Sequence, residues 1–140
     1  MKKTEPAYRI VMLIDDNEID NFINTKMIEG CNFAGQIYTN TDGKSALEFL
    51  KNIEKMGAKG IELLPQIIFL DLNMPGVDGF KFIENFEKAL HPDFRKGIQI
   101  VILTSSMNPS DSDKARNTPS VNQYISKPLN ESALQQLHTT

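Results

Sequence analysis

Three short apolar runs constrain this chain more than any other feature: Tyr8–Ile14 (YRIVMLI), Gln66–Leu72 (QIIFLDL) and Gln99–Leu103 (QIVIL). They are rich in β-branched residues and nearly continuous, whereas a strand with one wet face alternates apolar with polar. Such runs predict strands buried on both faces, as in the interior of a parallel sheet. A weaker run, Val121–Ser126 (VNQYIS), adds a fourth strand, and the brief Gln36–Thr39 fits an edge.

Helical patterns fill the intervals. Ile19, Phe22, Ile23 and Met27 share one helical face, and Gly30 supplies a stop. Ala46, Phe49, Leu50 and Ile53 repeat the spacing after a start at Thr41–Asp42, and Phe80, Ile83, Phe86 and Leu90 repeat it again before Pro92. Ser110-x-x-Asp113 resembles a capping box opening a short polar helix that Pro119 closes, and a last helix using Ala133, Leu134 and Leu137 follows Asn130. The segments Gly57–Leu64 and His91–Gly97 read as longer loops.

The order is β-α repeated five times. It predicts an α/β fold with right-handed crossovers: a doubly wound, open, parallel five-stranded sheet with helices on both faces. With no repeat or linker in the sequence, residues 1–140 are expected to form a single domain with its core at about 8–138. A net charge of −3 without a basic run argues against nucleic-acid binding. The one cysteine, Cys31, forms no internal disulfide and suits a reducing compartment, packing as a small apolar residue. The opening MKKTEPAYRIVMLIDD has a short apolar run ending in two aspartates, so it is neither signal peptide nor membrane span. A cytoplasmic protein with no membrane partner is the expectation.

Ligands of an open parallel sheet bind beyond the carboxyl ends of its strands. Delivered there are Asp15-Asp16, Asp71-Leu72-Asn73, Thr104-Ser105-Ser106 and Lys127-Pro128. Any one of these groups alone is ordinary, since a strand-end Asp usually caps a helix or makes a turn. Together they are not ordinary. Three crowded carboxylates repel one another unless a cation sits among them, and a hard ion such as Mg²⁺ takes oxygen ligands. A carboxylate can also act as a nucleophile and form an acyl phosphate, with metal, ammonium and hydroxyl stabilising the phosphoryl oxygens. Asp71 is the best nucleophile candidate, because it follows the most apolar strand, where the sheet centre should lie.

The set Asp15-Asp16, DLNMPGVDGF (Asp71 to Phe80), LTSS (Leu103 to Ser106) and YISKP (Tyr124 to Pro128) resembles the receiver domains of two-component response regulators, over about Arg9 to Leu137. The resemblance implies a flavodoxin-like fold and a stand-alone, chemotaxis-Y-like module without an output domain. It implies that Asp71 is the phosphoacceptor, that Asp16 binds Mg²⁺ directly and Asp15 directly or through water, and that Asn73 adds its main-chain carbonyl. Thr104 is implied as the hydroxyl that moves toward the phosphoryl group, Lys127 as its cationic partner, and Tyr124 as the aromatic residue whose burial follows. Met74-Pro75-Gly76 would shape the loop beyond the acceptor, Gly79 would ease the start of the third helix, and Lys127–Pro128 would be a cis peptide. The implied partners are a sensor histidine kinase or phosphotransfer protein and a downstream protein, docked by a monomer or weak homodimer. The only activity implied is self-phosphorylation and self-dephosphorylation.

Two other readings compete. A haloacid-dehalogenase-type phosphatase also forms a phospho-aspartate, but it resembles DxDx[TV], and Asn73 stands where its second acid would be. A phosphorylation-independent pseudo-receiver generally lacks one of the acidic, hydroxyl or lysine positions, and all are present here. Without the resemblance, Tyr124 reads as an amphipathic strand residue, and Phe80, Phe82 and Phe86 as core. His91 and His138 lie outside any ligand-like cluster, and Lys51, Lys55 and Lys59 read as a solvated face.

Overall fold

A computed structural model of the chain describes residues 5–72, 78–105 and 108–139. The three apolar runs become β1 (Tyr8–Ile14), β3 (Ile67–Asp71) and β4 (Gln99–Thr104), flanked by β2 (Ala34–Asn40) and β5 (Val121–Ser126). Every pairing is parallel, in the order β2-β1-β3-β4-β5. The most apolar strand, β3, is central, and the weaker runs are the edges.

The two-residue strand period sorts the core into two halves. Val11, Leu13, Ile67, Phe69, Val101 and Leu103 face one side, while Met12, Ile14, Ile68, Leu70, Ile100 and Ile102 face the other. On the first side pack α1 (Glu18–Gly30) and α6 (Glu131–Thr139), through Ile28, Leu134 and Leu137. On the second pack α2 (Gly43–Glu54), α3 (Gly79–Ala89) and α5 (Pro109–Arg116). Phe82, Phe86 and Leu50 are fully enclosed there.

The elements depart from the sequence reading at four places. The stripe Ile19, Phe22, Ile23, Met27 marks α1 but mostly not its buried side: Ile19 is 69% and Phe22 63% exposed, only Met27 of the four packs against the core, and the buried residues are Asn21, Asn24 and Ile28. Gly57–Leu64 is not a loop but largely a 3₁₀ helix, Gly57–Leu63. Gly57 there has φ +67°, and a Cβ on Gly60 would lie 2.2 Å from the Ile53 carbonyl oxygen, so only glycine allows the close approach. His91–Gly97 contains a short helix, α4 (Pro92–Arg95), with the exposed His91 as N-cap and Pro92 in its first turn. Finally, α5 starts earlier than the Ser110 capping box: Asn108 is the cap, accepting from Ser110 N at 2.8 Å, and Pro109 follows it.

Two other helix starts, those of α2 and α6, fall as expected, and the Asp78 cap of α3 was not foreseen. Asp42 caps α2, and Asp78 caps α3 by accepting from Lys81 N. Asn130 accepts from Ala133 N at the start of α6. Beyond the end of α1, the left-handed residue is Asn32 (φ 51°), a residue type that tolerates this region. Cys31 is half-buried. No helix among the described residues is long and apolar enough to cross a membrane.

Candidate functional site

Strand register brings the expected groups to one rim. Ile14 pairs with Leu70, so Asp15 follows β1 beside Asp71 at the end of β3. Asp71 pairs with Leu103, and Thr104 is the next residue of β4. Thr104 pairs with Ser126, which places Lys127 just beyond. Asp15, Asp71 and Thr104 are buried and Asp16 is exposed.

Local contacts set each side chain. Asp15 Oδ1 accepts from Asn17 N at 2.9 Å, and Asn21 Nδ2 donates to the Asp15 carbonyl. Asn17 in turn caps α1, accepting from Ile19 N and Asp20 N. At the far end of the sheet, Lys127 N donates to the Thr104 carbonyl at 2.8 Å. Lys127–Pro128 is cis, as the resemblance implied. Leu129 N donates to Asn24 Oδ1 at 3.2 Å, so Lys127 is pinned from β4 on one side and α1 on the other. Gly79 lets α3 begin hard against β3, since a Cβ there would lie 2.9 Å from Leu72 Cδ2 and 3.0 Å from the Asp71 carbonyl oxygen.

The Lys127 ammonium sits among carboxylates: 2.7 Å from Asp15 Oδ2, 3.0 Å from Asp20 Oδ2 and 3.4 Å from Asp71 Oδ1. Burial acts to lower its pKa, but the contacts with Asp15 and Asp20 and the charge of Asp71 outweigh it and push the group above the ordinary lysine value. It is a fixed positive charge at the rim.

Asp15, Asp16 and Asp71 each offer a carboxylate oxygen within 4.8 Å of the others. Asp15 Oδ2 is buried, and the contact it makes among the described residues is the ion pair with Lys127 Nζ at 2.7 Å. A converging set of hard oxygen donors from three carboxylates fits a divalent cation such as Mg²⁺. Asn73 lies outside the described residues, as do Met74, Pro75, Gly76, Ser106 and Met107.

Thr104 and Tyr124 lie on the same face of the sheet, because Tyr124 pairs with Ile102, two residues before Thr104. The Tyr124 ring is half-buried against the core of that face, and its hydroxyl is buried without a hydrogen bond among the described residues. That is a poor resting place for a polar group.

Sequence reasoning missed Asp20, Asn21 and Asn24. A first-turn acid such as Asp20 ordinarily reads as a complement to the helix dipole. The available signal was the polar spacing Asp20–Asn24, one turn apart, on a helix whose other side is strongly apolar.

Residues 11–139 match the family model described as the response regulator receiver domain. The chain is 32% identical over 120 residues to the probable methanogenesis regulatory protein FilR2 of Methanothrix harundinacea, covering 86% of this chain and 72% of that one. A two component response regulator from Cytophaga hutchinsonii superposes with a TM-score of 0.84 at 34% identity, covering 94% of both chains. The Mn²⁺-bound form of the response regulator Rcp1 superposes with a TM-score of 0.67 at 25% identity, covering 93% of this chain and 88% of that one. Receiver domains are signalling modules of two-component systems, and this chain belongs to the response regulator receiver family.

Proposed function

We propose that the chain accepts a phosphoryl group on Asp71 from the phosphohistidine of a sensor kinase or phosphotransfer protein. A carboxylate oxygen of Asp71 attacks phosphorus, the P–N bond breaks, and the imidazole leaves with its electron pair and takes up a proton. Lys127, fixed 3.4 Å from Asp71 Oδ1, offsets the charge on the phosphoryl oxygens. Asp15, Asp16 and Asp71, with the Asn73 main-chain carbonyl, would hold Mg²⁺, which when bound neutralises developing negative charge. The observation that carries the reading is the convergence of three carboxylates and a part-buried ammonium on the ends of β1, β3 and β5. The Mn²⁺-bound relative supports the metal.

The phosphoryl group brings roughly −2 of charge in place of the carboxylate's −1. Thr104 then moves toward its oxygens, and Tyr124, whose hydroxyl lacks a partner among the described residues, turns into the space vacated on the shared face. The readout surface is α5, β5 and α6. The donor surface is α1, whose exposed Ile19, Phe22 and Ile23 stand next to Asp16 and Asp20 and suit a helical protein with an apolar flank.

With Mg²⁺ and acetyl phosphate, intact-mass spectra should show one added phosphoryl group in the wild type and none in Asp71→Asn. The same gain in the variant would overturn the assignment. Thr104→Ala should still take up phosphate, yet lose the shifts at Tyr124 that beryllofluoride produces in the wild type.

A further inference from the structure

We propose that Asp20 is a positioning residue that holds the Lys127 ammonium beside the acidic cluster while a divalent cation occupies it, an inference that rests on the metal reading above. Lys127 and a cation claim the same oxygens: Nζ lies 2.7 Å from Asp15 Oδ2 and 3.4 Å from Asp71 Oδ1. Two positive charges sharing those carboxylates repel one another, so the ammonium needs a counter-charge that the cation does not use. Asp20 stands outside the carboxylate group Asp15, Asp16 and Asp71, and its Oδ2 accepts from Lys127 Nζ at 3.0 Å.

The placement is built into α1. Asn17 Oδ1 accepts from Asp20 N, fixing the first turn. One turn further on, Asn24 Oδ1 holds Leu129 N, so the same helix face grips both the side chain and the following backbone of the Lys127 segment. The Asp20 side chain is 35% exposed and that of Lys127 only 11%. Asp20 therefore keeps water on its outer side and carries its charge cheaply, while its inner oxygen faces the ammonium.

The test is a Mg²⁺ titration of the full chain by calorimetry, with thermal melts to establish that each variant is folded. Asp20→Asn should weaken Mg²⁺ binding about fivefold. Asp20→Glu should recover most of that loss, whereas Glu18→Gln, which removes the same charge from the same helical turn, should change affinity less than about twofold. In a Lys127→Met background the effect of Asp20→Asn should shrink to within about twofold, because the residue it serves is gone. Unchanged affinity in Asp20→Asn, or equal weakening with and without Lys127, overturns the inference. Should Lys127→Met not fold, the contrast between Asp20→Glu and Glu18→Gln decides, and equal losses in Asp20→Asn and Glu18→Gln refute the positioning role. Absence of Mg²⁺ binding by the wild type would instead sink the metal reading, and this inference with it.

Discussion

On the side of the sheet covered by α2, α3 and α5, helix meets strand through apolar side chains, with Leu50, Phe82 and Phe86 against Met12, Leu70 and Ile102. On the opposite side, the buried residues of α1 are Asn21, Asn24 and Ile28, and its bulkiest apolar groups point to solvent. One side is bound by area removed from water. The other trades part of that area for directed hydrogen bonds that reach the Asp15 carbonyl and the backbone beyond Lys127. The polar side is therefore the one that aims the site's charges, and the apolar side is the platform against which they are aimed.

The sharpest way to break this contrast is to truncate one phenylalanine on each helix. Phe86→Ala on α3 should cost about 3–5 kcal/mol in urea unfolding, through lost burial and the cavity left behind. Phe22→Ala on α1 should stay within about 0.5 kcal/mol. It should, however, slow phosphoryl transfer from a protein donor while leaving uptake from acetyl phosphate intact. A large stability loss in Phe22→Ala would mean that the apolar stripe of α1 is core after all.

The same pair of helices marks where the sequence was legible. Strand runs report burial directly, since β1, β3 and β4 are apolar on both faces and nothing else explains them. Helical periodicity reports only that two faces differ. In α3 the apolar face is inside. In α1 it is outside, because Asn21 and Asn24 are required inside as donor and acceptor. Single residues cannot announce that need, as their partners lie 6 and 105 positions away. The site was legible for a different reason: each of its expected charged groups ends or directly follows a strand, and strand ends converge by topology. Asp20 follows no strand, and so it was missed.

A smaller effect sharpens the polar side. Asn24→Ala removes the acceptor for Leu129 N and leaves that buried donor unpaired, which should cost about 1–3 kcal/mol. Asp71 phosphorylation should slow as well, because the backbone that carries Lys127 loses its anchor on α1. Denaturant titration and uptake rates from acetyl phosphate read the two effects separately. A stability loss with uptake unchanged would show that Lys127 is placed without the Asn24 anchor, by the Thr104 carbonyl and the contacts with Asp15 and Asp20.

The smallest expected effect distinguishes the caps of the two sides. Asn17, which caps α1, carries no charge, whereas Asp42 caps α2 as a carboxylate. The hydrogen bond from Ser45 N at 2.7 Å, and then that from the Ser45 hydroxyl at 3.0 Å, hold the Asp42 pKa below the ordinary carboxylate range against a weaker opposing pull from desolvation. A depressed folded pKa stabilises the protein fully above the unfolded value of roughly 3.9, and that contribution is lost as pH falls through the folded value. Asp42→Asn keeps an oxygen to accept from Ser45 N but abolishes the charge. At this exposed site, solvent screening should hold the cost to about a few tenths of a kcal/mol at neutral pH. The difference between wild type and variant should be level down to about pH 5 and close as pH falls further. Melting curves recorded across that range isolate Asp42, since every other carboxylate titrates in both proteins. A gap that persists undiminished in acid would show that the Asp42 cap works through shape rather than charge, and α1 and α2 would then be capped on the same principle.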